Sequence, residues 1–207
     1  MEIVLASGNA KKAAELERML EPLGFRVLRP VDVGGLPDVE EDRETFEGNA
    51  EKKAVSAAAH SGRLALADDS GLCVDALGGG PGVHSARYAG VHGDDEANNR
   101  KLLDALQDIP GAGRGAHFVC CLVVADPDGK IVCRARGEVH GRIGHGPKGD
   151  GGFGYDPLFR VRESGNPFDR RPIAELTPAE KAAISHRGRA LAELVRQLKA
   201  QAPSTPR

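Results

Sequence analysis

The longest unbroken apolar run in the chain is Phe118 to Ala125, and its eight residues limit the possible folds more than any other feature. It is far below the ~18 residues needed to suggest a membrane-spanning helix. No longer run exists, so no transmembrane segment is expected. Only Ile3 to Ala6 is apolar before Ser7-Gly8-Asn9, with no basic region ahead of it, so no secretory signal is expected either. The run reads instead as part of a strand, Ala116 to Ala125, paired in a hairpin with Lys130 to His140 around the turn Asp126-Pro127-Asp128-Gly129.

Around this hairpin, strands and helices alternate. Glu2 to Ala6 reads as a short buried strand and Ala10 to Leu23 as a helix, with Leu16, Met19, Leu20 and Leu23 on one stripe and a stop at Gly24. Phe25 to Leu28 forms a second strand, and the Pro- and acid-rich stretch 30–44 has no periodicity. Thr45 can cap a helix to about His60, with Glu47 in its first turn, Gly62 as terminator, and Phe46, Asn49 and Lys53 on one face. Leu64 to Ala67 is an apolar strand running into Asp68-Asp69-Ser70-Gly71, which places carboxylates at a strand end, where open α/β sheets bind ligands. Asp94 to Leu106 is helical. Near the C-terminus, Thr177-Pro178-Ala179-Glu180 combines a capping box with proline at the first helical position, and Ser185 can cap a separate helix.

At 207 residues the chain suits one domain, taken as 1–200 with a frayed tail at 201–207. A net charge of -2 removes the main electrostatic argument for a nucleic-acid-binding surface, leaving room only for a local basic pocket. Cys73, Cys120, Cys121 and Cys133 form no C-x-x-C pair, and neighbours in a strand point to opposite faces, so reduced thiols in a cytoplasmic protein are expected.

Several constellations can carry chemistry. Ser7-Gly8-Asn9-Ala10-Lys11-Lys12 follows a strand and opens a helix, so its N–H groups and lysines can hold an anion, or it can be an ordinary turn with solvated lysines. Asp68 and Asp69, with the acids of 38–44, offer hard oxygen ligands for Mg2+, unless one of them merely caps a turn. Gly144 to Gly154 contains G-x-G-x-x-G twice, but Pro147 and Pro157 argue against the helix that a dinucleotide fingerprint opens. Phe153 or Tyr155 in this glycine-rich loop can stack on a base or pack on the core. His186, taken alone, suits a hydrogen-bonded surface histidine, and no histidine pair has zinc-ligand spacing.

Taken together, six segments resemble the inosine/xanthosine triphosphate pyrophosphatase family. They are Ser7-Gly8-Asn9 with Lys12; Thr45-Phe46 with Asn49-Ala50 and Lys53-Ala54; Ala67 to Leu72; Pro81-Gly82-Val83 with Ser85 to Tyr88; Gly152 to Pro157; and Ala174-Glu175-Leu176 through Lys181 to Ser185-His186-Arg187. They follow the family's order from residue 7 to 187. The departures are local: 165–173 looks longer than the family's stretch, and Pro172-Ile173 stand where a threonine would be expected before Ala174.

The resemblance implies an elongated, two-lobed α/β fold with a long central mixed sheet flanked by helices and a nucleotide cleft between the lobes, usually in a homodimer. It implies Mg2+-dependent hydrolysis of ITP, dITP and XTP to monophosphate and pyrophosphate, which cleanses the nucleotide pool. By position, Asp69 would be the general base or water-orienting carboxylate, with Glu41 and Asp69 at the metal. Ser7, Gly8, Asn9, Ala10, Lys11, Lys12, Lys53 and Ser70 would hold phosphates and sugar, and Phe153, Gly154, Tyr155, Asp156, Lys181, His186 and Arg187 the rest of the nucleotide. Neither nucleic acid nor membrane would be a partner. Two other readings exist. One is a nucleotide-binding module without turnover, disfavoured by the retention of Asp69, Glu41 and Lys53. The other is a Rossmann dehydrogenase, which rests only on the misplaced glycines.

Overall fold

In the computed structural model, which describes residues 1–201, the chain folds into an α/β protein with one mixed six-stranded sheet flanked by helices. The expected tail at 201–207 falls outside the described residues from 202 onward. In chain order the elements are β1 (Glu2–Ala6), α1 (Ala10–Leu20), β2 (Arg26–Leu28), α2 (Phe46–Ser61), β3 (Ala65–Val74), α3 (Asp95–Ala105), β4 (Gly115–Ala125), β5 (Ile131–Ile143), β6 (Phe159–Val161), α4 (Pro178–Ile184) and α5 (His186–Gln201). The strand order is β2-β1-β3-β4-β5-β6. No helix among the described residues is long and apolar enough to cross a membrane.

The chain packs into two compact units. One comprises Met1–Asp69, Cys121–Gly137 and the described residues from Arg187; the other comprises Ser70–Cys120 and Glu138–His186. In the first, β1 runs parallel to β2 (Ile3↔Val27) and to β3 (Leu5↔Leu66). Its core sets Val4, Ala6, Ala65, Ala67, Val123 and Ala125 against Ala50, Ala54, Ala57 and Ala58 of α2. The alanine stripe supplies that packing, as a chain with no tryptophan and few aromatics requires. In the second unit β5 and β6 are antiparallel, and the core gathers Leu72, Leu102, Phe118, Val139, Tyr155 and Phe159.

Local capping chemistry decides the helix ends. Thr45 Oγ1 accepts from the Gly48 N–H at 3.1 Å, and Gly62 closes α2 in the left-handed conformation at φ 63°. The Thr177–Glu180 capping box starts α4, and Ser185 separates it from α5. Two expectations need correction. Helix α1 ends at Leu20 rather than Leu23, and Glu21–Leu23 form a 3-10 turn around Pro22, which has no N–H to continue the α-helical ladder. Asp68-Asp69-Ser70-Gly71 forms no turn: β3 runs unbroken through it to Val74, so the two carboxylates lie within a strand and not at its end. Turn-prone residues remain extended there because tertiary partners hold both acids. The glycine-rich 144–154 segment lies between β5 and β6 and opens no helix, so the context of a dinucleotide fingerprint is absent.

Candidate active site

The carboxylates of β3 organise the first unit. Consecutive strand residues face opposite sides of a sheet. Asp69 shares the side of Ala65 and Ala67, which pack on α2, whereas Asp68 faces α1 and the start of α5. Asp68 Oδ1 lies 3.2 Å from Lys12 Nζ, and its Oδ2 accepts from Arg187 Nε at 3.2 Å. Arg187 Nη1 also donates to Glu15. Arg187 and Asp68 are buried completely enough to form an internal clamp.

On the opposite side, Lys53 Nζ donates to Glu41 Oε1 at 2.8 Å and to Asp69 Oδ1 at 3.3 Å. Asn49 Nδ2 donates to Asp69 Oδ2 at 3.3 Å and to the Arg43 carbonyl at 3.1 Å, while its Oδ1 accepts from the Arg43 N–H at 3.0 Å. One turn of α2 therefore aligns Asn49 and Lys53 on Asp69 and ties the irregular 40–44 segment beside them. Burial, reinforced by the charges of Glu41 and Asp68, pushes the Asp69 carboxyl above its ordinary range against the pull of Lys53 and Lys12. Burial also disfavours the Lys53 ammonium, but the combined attraction of Asp69, Glu41 and Asp68 outweighs it, and the pKa of Lys53 rises. Lys53 is a fixed cation between two carboxylates, one of which gives up its proton reluctantly.

Among the described residues no group of three or more His, Cys, Asp or Glu side chains could hold a metal ion. A self-contained metal cage is absent there. Mg2+, however, commonly takes one or two protein carboxylates and completes its shell with water and phosphate. Glu41 and Asp69, converging on one cation, fit that smaller requirement.

The Ser7–Lys12 loop caps α1. Asn9 Oδ1 accepts from the Lys11 and Lys12 N–H groups at 3.0 and 3.1 Å. These two helix-start donors, expected to face an anion, are used within the protein. Gly8, Ala10 and Lys11 are exposed, and Ser7 is half-buried.

The second unit contains the aromatic loop. Asp156 Oδ2 accepts from Lys181 Nζ at 2.6 Å and from the Phe153 N–H at 2.9 Å, and Lys181 Nζ lies 4.6 Å from the Phe153 ring centroid. A Cβ at Gly152 would meet Asp156 Oδ2 at 2.1 Å, at a φ of 75° that side chains rarely adopt. Glycine is required there. Tyr155 is core: its hydroxyl donates to the Ser85 carbonyl at 2.9 Å, and burial pushes its pKa well up. His186 is buried and stacks on Phe118, with ring centroids 4.9 Å apart. Ser70 is half-buried on β3.

Sequence reasoning assigned no role to Glu15, Asp95 or Asn99. The Gly154 N–H donates to Asp95 Oδ2 at 3.0 Å, and Asn99 Nδ2 donates to the Gly154 carbonyl at 2.9 Å, leaving the buried Asn99 Oδ1 without a hydrogen bond. Asp95 and Asn99 are one turn apart on α3. That i, i+4 spacing was the only available signal, and many surface helices share it.

The Ham1 family model matches residues 3–197. The chain is 49% identical over 197 residues to the dITP/XTP pyrophosphatase of Rhodopirellula baltica, a match covering 95% of this chain and 92% of that protein. A HAM1 protein structure from Coxiella burnetii superposes with a TM-score of 0.84 at 41% identity, covering 97% of this chain and 99% of that one. The nucleoside-triphosphatase / dITP/XTP pyrophosphatase of Mycobacterium abscessus gives a TM-score of 0.74 at 47% identity, covering 96% of this chain and all of the other.

Proposed function

The chain belongs to the Ham1 family, and from that membership we propose that it hydrolyses the non-standard purine nucleoside triphosphates ITP, dITP and XTP to the monophosphate and pyrophosphate. The observation that carries this reading is the Lys53 ammonium held at 2.8 and 3.3 Å between Glu41 and the buried Asp69. Phosphoryl chemistry needs positioned charge more than covalent catalysis.

In this mechanism the ionised Asp69 accepts a proton from water as the water oxygen bonds to the α-phosphorus. The bond from that phosphorus to the bridging oxygen of the β-phosphate breaks, and pyrophosphate leaves with the electron pair. Asn49 and Lys53 hold Asp69 in place, and Lys53 meets the negative charge of the phosphates. Glu41 and Asp69 would hold Mg2+, which supplies further charge neutralisation for phosphate oxygens when bound. Ser7 to Lys12 and Ser70 contact phosphates and sugar. Phe153, with Lys181 over its ring, offers an aromatic surface for the purine, and Gly154, Asp156 and His186 surround it. Tyr155 acts by packing, and Arg187 acts through its ion pairs with Asp68 and Glu15.

One family model spans residues 3–197, which supports one functional domain. Cys73, Cys120, Cys121 and Cys133, none of them joined in a disulfide, support a reducing, cytoplasmic setting. The homodimer is part of the same reading, and sedimentation of the purified protein tests it. For the reaction, a panel of ITP, dITP, XTP, ATP and GTP with Mg2+ should release pyrophosphate from the first three. Release of orthophosphate, or tight binding without turnover, would reject the assignment.

A further inference from the structure

Apart from these residues, the second unit contains a cavity of about 560 Å3 whose lining includes four arginines, a lysine and a histidine, with no aspartate or glutamate. Two of the arginines make an unusual pair. Arg142 on β5 and Arg160 on β6 are direct antiparallel partners, and like charges directly opposite destabilise a sheet. Arg162, immediately after β6, adds a third guanidinium to the same rim. Among the described residues no carboxylate pairs with Arg142, Arg160 or Arg162, whereas Arg170 has only the exposed Asp169 at 3.5 Å.

The cavity is structurally supported. The buried Arg114 donates from Nη1 to the Gly144 carbonyl at 3.0 Å and from Nε to the Ile109 carbonyl at 2.8 Å, fixing Gly144 from behind. In front, a Cβ on Gly144 would come within 3.1 Å of Arg160 Nε, so the guanidinium lies against the bare backbone. Arg170, at a φ of 69°, is the only non-glycine residue with positive φ among those described, and its N–H donates to the Val161 carbonyl at 2.7 Å. That bond holds the 165–170 loop against β6.

From the unneutralised Arg142–Arg160 pair and the acid-free lining, we infer that this cavity is a second binding site, for a small oligophosphate. Guanidinium forks match phosphate oxygens, and a bound dianion would convert the cross-strand repulsion into bridging contacts. The cavity volume suits a small molecule. The chain has a net charge of -2, and the cavity lining lacks Phe, Tyr and Trp for stacking bases, so a nucleic-acid strand fits less well.

The test is calorimetric titration of the whole protein with inorganic pyrophosphate and with ADP, at low salt and without divalent ions. It compares wild type with Arg142→Gln/Arg160→Gln and, in case that variant folds poorly, with the exposed Arg162→Gln. Wild type should show one more binding event than the double variant, or an affinity at least about tenfold higher. ITP hydrolysis should change less than about twofold in both variants, because these arginines lie outside the proposed machinery. Equal affinities for pyrophosphate and ADP indicate a bare oligophosphate, and tighter ADP binding indicates a nucleotide. Without ligand, the double variant should melt at or slightly above the wild-type temperature. Identical titrations would overturn the inference. So would loss of ITP hydrolysis in parallel with binding, an arginine-dependent preference for a single-stranded oligonucleotide over pyrophosphate, or a change of oligomeric state in the variants, which would assign the arginines to another copy of the chain.

Discussion

Arg187 Nε lies 3.2 Å from Asp68 Oδ2, and both side chains are at most 1% exposed, so the first unit is held together by an internal ion pair. Removing one partner leaves the other buried charge with only its second contact, Lys12 for Asp68 or Glu15 for Arg187, a loss towards the lower end of roughly 3–5 kcal/mol. Asp68→Ala should therefore lower the unfolding free energy from denaturant titration by that amount, seen as a lower midpoint at unchanged slope. Arg187→Ala should do the same, which makes it a fold variant before it is a specificity variant. A shift below about 1 kcal/mol in both would show that the clamp carries little stability.

Asp69 behaves in the opposite way. Its carboxyl, raised above the ordinary 3.8, binds a proton more tightly folded than unfolded. Its stabilising contribution is therefore complete below the unfolded value and disappears as the pH rises through the folded one. Asp69→Asn should reduce ITP turnover by about 10²-fold or more, yet melt no lower than wild type at pH 7. The stability difference should close as the pH falls towards 3.8. Near wild-type kcat would remove Asp69 from the mechanism.

Lys53 draws the Asp69 pKa down, and no other charge lowers it more. Replacing it by methionine should move the acid limb of the kcat/KM profile to higher pH and reduce the plateau. The check is a pH–rate series on ITP under constant ionic strength. An unmoved limb would uncouple the two groups.

The proposed substrates present a 6-oxo acceptor where adenine presents an amino donor, so a pocket of donors discriminates by leaving groups unsatisfied. Wild type should favour ITP over ATP by at least ~10² in kcat/KM. Phe153 stacks without reading base edges, so Phe153→Ala should weaken ITP and ATP alike, by about 1–3 kcal/mol. A selective loss for ITP would make the ring a specificity element, and equal kcat/KM for ITP and ATP in wild type would end the base-readout argument.

The helix boundaries at Thr45, Gly62, Asp94, Thr177 and Ser185 were legible in the sequence, because a cap acts on N–H or carbonyl groups within about four residues. The same applies to the Asp126 turn and to the alignment of Asn49 with Lys53 on one helix face. The candidate residues were legible as motifs, but their division of labour was not. Asp68 and Asp69 read as one acidic pair at a strand end. Tertiary pairing extends β3 past both, and the two-residue period of a strand sends one acid to Arg187 and the other to Lys53.

Local chemistry in the sequence by itself determined where helices start and stop and which residue types were available for phosphate chemistry. Only the tertiary structure decided which carboxylate is clamped and which is poised, and that Arg142 lies opposite Arg160. Strand register and partner choice join residues tens of positions apart, and they are set by packing across the sheet rather than by nearest neighbours.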